Sequence, residues 1–208
     1  MKLAVVAAVA ASLIVGGCSY AAKPIAVGSY NVYSSYDGKL PGKYLLYVEA
    51  APLDRPIKPS DFNCSAHTFP LQLSNSFAES VRQTLTNVVA EIEVVQTPVD
   101  RVELGKRGAR GMIVVRGESV DGRLRVVPGF WTAGIETDVE IVASITVDGK
   151  QGRLLGSTVS GLGHSQGDAG FACGGGGAAL ADAAGKSVEQ TLTRLGEALV
   201  NSERVRGT

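Results

Sequence analysis

The chain has little with which to do chemistry. Among 208 residues there are two histidines, His67 and His164, three cysteines, Cys18, Cys64 and Cys173, and one tryptophan, Trp131. There is no Gly-x-Ser-x-Gly elbow, no His-Glu-x-x-His, and no nucleophile standing at a recognisable spacing from a base. No catalytic residue is therefore expected, and the protein reads as a non-enzyme. Charge of one sign is missing as well: twenty basic and twenty acidic side chains cancel. Nucleic acid and an anionic membrane surface both demand a basic excess, so neither is an expected partner. Beyond the first twenty residues no further long apolar run occurs, and no internal repeat is found.

One segment looks like an exception and is not. "FACGGGGAALADAAGKS", from Phe171 to Ser187, has the glycines and the Gly-Lys-Ser of a phosphate-binding loop. Such a loop needs glycine, four residues, then Gly-Lys-Ser at the start of a helix, where free backbone amides wrap the phosphate. The residue five before Gly185 is Leu180, and Leu180, Ala184 and Val188 continue one apolar stripe through the triplet. That stripe puts Gly185-Lys186-Ser187 inside a helix. The glycine run from Gly174 to Gly177 reads instead as a side-chain-free entry to it, where backbone can approach a neighbour.

What the chain does have begins at its first residues. "MKLAVVAAVAASLIVGGCSY" combines Lys2, an apolar run from Leu3 to Val15, and two small residues before Cys18. This is the pattern of a secretory signal, too short for a spanning helix of about 20 apolar residues. The tetrad Val15-Gly16-Gly17-Cys18 resembles the lipobox of bacterial lipoproteins. That resemblance implies cleavage before Cys18 and its acylation with fatty acids such as palmitate. More than one acyl chain makes a stable anchor, at about 0.8 kcal/mol per buried methylene. By the same resemblance Ser19, rather than Asp, after the acylated cysteine points to the outer membrane, with the domain facing the periplasm.

The remaining length suits one domain, and 45% hydrophobic residues with 19% charged are enough for a core. The expected organisation is a signal peptide over 1–17, an acylated cysteine and flexible tether over 18–42, and a periplasmic domain over 43–208. The tether is rich in Tyr, Ser, Gly, Ala and Pro without helical periodicity. Tyr30, Tyr33 and Tyr36 offer the other reading, a docking strand.

Within the domain, "KYLLYVEA" from Lys43 reads as a strand. A helix follows, with Phe77, Val81, Leu85 and Val88 at helical spacing and Ser76 with Glu79 as a capping box. "EIEVVQ" from Glu91 reads as a short strand, Gly105 to Gly111 as a basic glycine-rich loop, and Met112 to Val120 as another strand. From Ile135 to Val147 apolar residues occupy odd positions while Glu136, Asp138 and Glu140 take even ones, which marks a strand with one buried and one solvated face. "DGKQG" turns it into a hairpin partner, "RLLGSTVSGLGHS". Leu180, Ala184, Val188, Leu192, Leu195 and Leu199 mark a last amphipathic helix. The fold class expected is α+β, a mainly antiparallel sheet with two helices packed on one face.

This order, on a lipobox, resembles the YajG-type family of bacterial outer-membrane lipoproteins, through "GMIVVRGESV", "GIETDVEIVASITVDGKQGRLLGSTVSG" and "DAAGKSVEQTLTRLGEAL". The resemblance spans roughly Leu45 to Asn201, implies an envelope protein, and supplies no catalytic residues. The Cys64 and Cys173 pair and the glycine run set this chain apart within it.

Two readings compete for those cysteines. In an oxidising periplasm, with Cys18 acylated, Cys64 and Cys173 are expected to pair as a disulfide. Against this, His67 three after Cys64 and His164 nine before Cys173 would complete a two-Cys, two-His zinc site, or the pocket of a small enzyme or ligand carrier. The disulfide is the expectation; no metal and no cofactor is assigned. In "VVPGFWTAGI", Phe130 and Trp131 put aromatic bulk in a loop between glycines, which reads either as a cap on the core or, where exposed, as the expected contact surface for an envelope protein partner.

Overall fold

The computed structural model describes residues 18–60, 64–129 and 133–207. Its architecture is α+β. A two-residue strand β1 (Cys18–Ser19) leads to β2 (Leu40–Glu49), β3 (Arg55–Ile57), β4 (His67–Leu71), helix α1 (Ser74–Val88), β5 (Val89–Val94) and a short α2 (Arg101–Lys106). Three long strands follow, β6 (Gly111–Pro128), β7 (Ala133–Gly149) and β8 (Gly152–Asp168), then α3 (Gly176–Val200) and α4 (Glu203–Arg206).

The main sheet has the order β5-β2-β6-β7-β8, and it is mixed, its long pairings antiparallel and its short ones parallel. β2 pairs in parallel with both β5 and β6, while β6, β7 and β8 form an antiparallel meander. A helix lies between each pair of parallel partners, α1 before β5 and α2 before β6, and a crossover of that kind returns the chain in the same direction. A second sheet, in the order β1-β4-β3, pairs β1 with β4 in parallel and β3 with β4 antiparallel.

The core lies on one face of the main sheet. Ile113 and Val115 of β6 and Ile141 and Ile145 of β7 meet Phe77, Val81 and Leu85 of α1 and Leu180, Val188, Leu192 and Leu195 of α3. Helix α2 packs on the opposite face, where Leu104 and Ala109 cover Leu45, Met112 and Val114. The helices are therefore not all on one side. The basic loop expected from Gly105 is in part the end of α2, whose first turn is capped by Asp100 accepting from Glu103 N at 2.8 Å.

The start of α1 also differs from expectation. Ser76 and Glu79 form no capping box; the carboxylate of Asp54, remote in sequence, accepts from Leu73 N at 2.7 Å, Ser74 N at 2.9 Å and the Ser74 hydroxyl at 2.6 Å. Glu79 accepts from Arg82 and Gln83 instead, which pull its carboxyl down to about 2. The helix thus begins two residues before Ser76, and its cap comes from a residue that only the tertiary fold brings near.

The segment after Cys18 is not a free tether. Gly28 N donates to Ser80 Oγ at 3.1 Å and Tyr30 N to Thr84 Oγ1 at 3.2 Å, both hydroxyls lying on the buried face of α1. Ile25 joins the core, and Asn201 clasps the segment further on, accepting from Ser35 N at 2.7 Å and donating to Tyr33 O at 3.0 Å. Burial, with the Glu189 carboxylate second, raises the Tyr30 phenol above its usual range. The strand then begins at Leu40, three residues before the expected Lys43.

Candidate functional site

The residues singled out by sequence gather in part at one corner. β1 is only two residues long, yet it places Cys18 opposite His67 and Ser19 opposite Thr68 on β4, and Tyr20 N extends the pairing to Thr68 O at 3.0 Å. The Tyr20 ring stacks on Phe69 at 4.9 Å between centroids and tilts against His67 at 5.1 Å. Its hydroxyl donates to the carbonyl of Ala172. Cys64, just before β4, is disulfide-bonded to Cys173, with 6.2 Å between the Cα atoms. The loop leading into α3 is thus tied to the anchor corner from two sides.

That loop has an uncommon backbone. Ala172 and Cys173 are both left-handed, at φ 51° and 65°, a conformation that side chains with a Cβ rarely adopt. Phe171, beside them, is 98% exposed. The glycines that follow behave as a side-chain-free entry: a Cβ on Gly175 would fall on the Asp168 carbonyl oxygen, and one on Gly176 would lie 2.8 Å from the Phe69 ring.

The two histidines are not brought together: only His67 lies at the corner of the disulfide. His67 lies on β4 with its Nδ1 buried and unpaired among the described residues. His164 lies on the solvated face of β8, its Nδ1 2.9 Å from the Asp138 carboxylate. The disulfide takes up both thiols that a zinc site would need. Among the described residues no three His, Cys, Asp or Glu side chains are grouped to hold a metal.

The solvated face of the meander carries charged side chains in register, of opposite sign in two rows and of like sign in a third. Arg125, Glu136 and Gln166 form one row, Arg123, Asp138 and His164 the next, then Asp121, Glu140 and Leu162. Arg125 Nε donates to Glu136 at 2.6 Å and Gln166 to the same carboxylate at 3.0 Å. Such cross-strand pairs stabilise a sheet without specifying a ligand. A depression of about 430 Å³ between the last two rows is lined by Asp121, Arg123, Asp138, Glu140, Leu162 and His164. It holds three carboxylates, one guanidinium and the His164 imidazole.

Gly185-Lys186-Ser187 lies within α3, so its amides are spent on the helix. Lys186 donates to His164 O at 3.0 Å and Ser187 Oγ to Gly161 O at 2.9 Å. Sequence reasoning missed this use of the triplet, and also the buried Ser80 and Thr84; hydroxyls four apart on an otherwise apolar stripe are the signal that was there. Phe130 and Trp131 lie outside the described residues. The strand ends beside them, Pro128 and Ala133, are paired, and Ala133 O accepts from Ala169 N at 2.9 Å.

No protein-family model matches the chain, and no curated protein matches its sequence. Among solved structures, it is similar to a Xanthomonas campestris protein of the DUF330 family at 13% identity and a TM-score of 0.44, over 88% of this chain and 96% of that one. It is similar to a hypothetical protein of Chlamydia trachomatis at 8% identity and 0.41, over 74% and 92%. A minor lipoprotein of Acinetobacter baumannii matches at 11% identity and 0.38, over 76% and 90%. Among the described residues no helix is long and apolar enough to cross a membrane.

Proposed function

We propose that this chain is a non-enzymatic lipoprotein of the bacterial outer membrane, similar in its order of elements to the YajG-type family. Acyl chains on Cys18 hold it, and its periplasmic domain binds other envelope components as an accessory or assembly factor. The observation that carries the reading is the position of Cys18: the last residue of the Val15-Gly16-Gly17-Cys18 tetrad is also the first of a strand built into the domain. A cysteine so placed joins lipid to folded protein with no intervening chain.

The contact surface in this reading is the loop of Phe130 and Trp131. Replacing Trp131 by Ala is expected to abolish capture of a partner from envelope extracts while leaving the melting temperature unchanged. Retained capture by the variant overturns that surface, and wild-type protein that captures nothing overturns the binding role. The anchor is tested separately by intact mass of protein isolated from membranes, where a mass without acyl chains overturns the lipoprotein reading itself.

A further inference from the structure

We propose that the loop over 169–175 is a bilayer contact and that Phe171 is the side chain that enters the lipid. The inference rests on the reading of Cys18 as acylated and goes beyond it, because an anchor alone does not say which surface meets the membrane.

Phe171 is almost fully exposed, whereas among the described residues the next most exposed large apolar side chains are Tyr33 at 74% and Val102 at 66%. A phenyl ring left in water forgoes the burial that ordinarily drives such a side chain inward. The surrounding loop prevents it from folding back. Ala172 and Cys173 hold the left-handed conformation, the disulfide fixes Cys173 to Cys64, and the Tyr20 hydroxyl fixes the Ala172 carbonyl. Gly174 N donates to Phe171 O at 3.0 Å and Gly170 N to the Asp168 carboxylate at 2.8 Å, closing the loop on both sides of the ring. Backbone held in a sparsely populated region at an exposed site is characteristic of places where presentation matters.

The occupant follows from where the loop sits. Tyr20 is two residues after Cys18, a span of at most about 7 Å, and it is Tyr20 that touches Ala172. Acyl chains leaving Cys18 therefore bring the bilayer to the loop that carries Phe171. Phenylalanine is among the side chains that interfacial segments bury at the boundary of headgroups and acyl chains. Because residues 169–175 carry no charged side chain, the contact is apolar and needs no anionic lipid.

The test uses the full acylated protein with Trp131→Phe, carrying either Phe171→Trp or Leu162→Trp as its single tryptophan. Position 162 is exposed on the solvated sheet face, about 20 Å back along β8 from its end. Each protein is reconstituted in phosphatidylcholine vesicles with plain or brominated acyl chains, and its acylation is verified by intact mass. The expected result is loss of emission to bromine at position 171, unchanged by salt, and retained emission at 162. Acylated protein whose position 171 emits equally in both vesicles, or is quenched no more than 162, overturns the inference and leaves the anchor standing. Protein without acyl chains overturns both.

Discussion

Gly161 and Gly163 are the residues on which the seating of α3 turns. They face Ile141 and Val139 across β8 and β7, and a Cβ on Gly163 would fall on the Ala183 carbonyl oxygen and within 2.7 Å of Ser187 N. The obstruction is helix backbone, which cannot step aside as a side-chain tip can. Gly163→Ala is expected to cost about 3 kcal/mol in a urea titration, at the upper end of overpacking. In the same strand, a Cβ on Gly156 would meet only Arg153 Cδ at 3.8 Å. Gly156→Ala should stay within about 0.5 kcal/mol of wild type, the range of ordinary surface changes. Equal losses at the two sites would show that α3 is not held by this close approach. None of it is legible from composition, in which these glycines look like any others in a glycine-rich strand.

At the scale of elements, α3 does more than cover the core. Lys186, Gln190 and Arg194, one helical turn apart, reach the outer edge of β8. Lys186 donates to His164 O at 3.0 Å, Gln190 Oε1 accepts from Leu162 N at 2.6 Å, and Arg194 donates to Ser160 O. An edge strand left open is a template for pairing with another chain. Replacing Gln190 and Arg194 together by Ala is expected to convert monomer to higher species in light scattering at high concentration; an unchanged mass would mean that other features block the edge. The stripe of α3 and the long alternation of β7 are readable because each has a period set by its own geometry. Strand direction is not, since β2, β5 and β6 have no period that names their partners, and the parallel half of the sheet went unread. Helix α2 was missed for its length of six residues, too short for a period to emerge. The capping box failed for the opposite reason: its local signal was present, but the helix begins two residues earlier, at Ser74, where Asp54 caps it.

At the scale of the whole molecule, the disulfide joins residues 109 apart and links the strand beside Cys18 to the helix that closes the core. Constraining so long a loop removes freedom from the unfolded chain, by up to about 4–5 kcal/mol in the chain-entropy account. The Cys64→Ser, Cys173→Ser double variant should therefore unfold at a markedly lower denaturant concentration than the oxidised protein. An unchanged midpoint would mean that strain in the loop offsets the gain. The pairing was within reach of sequence because only two cysteines remain once Cys18 is set aside. The course of residues 19–39 was not, since a stretch without periodicity looks alike whether it waves in solvent or lies in a groove made by elements far along the chain.

The clasp on that first segment also sets an order in time. Ser80 and Thr84 are made some sixty residues after Cys18, and Asn201, which holds Tyr33 and Ser35, almost last of all. A chain that emerges N-terminus first cannot complete this clasp until its synthesis is nearly over. In the proposed lipoprotein, enzymes that act at Cys18 would meet this segment before its clasp is complete, and the finished fold would withdraw that same stretch from them.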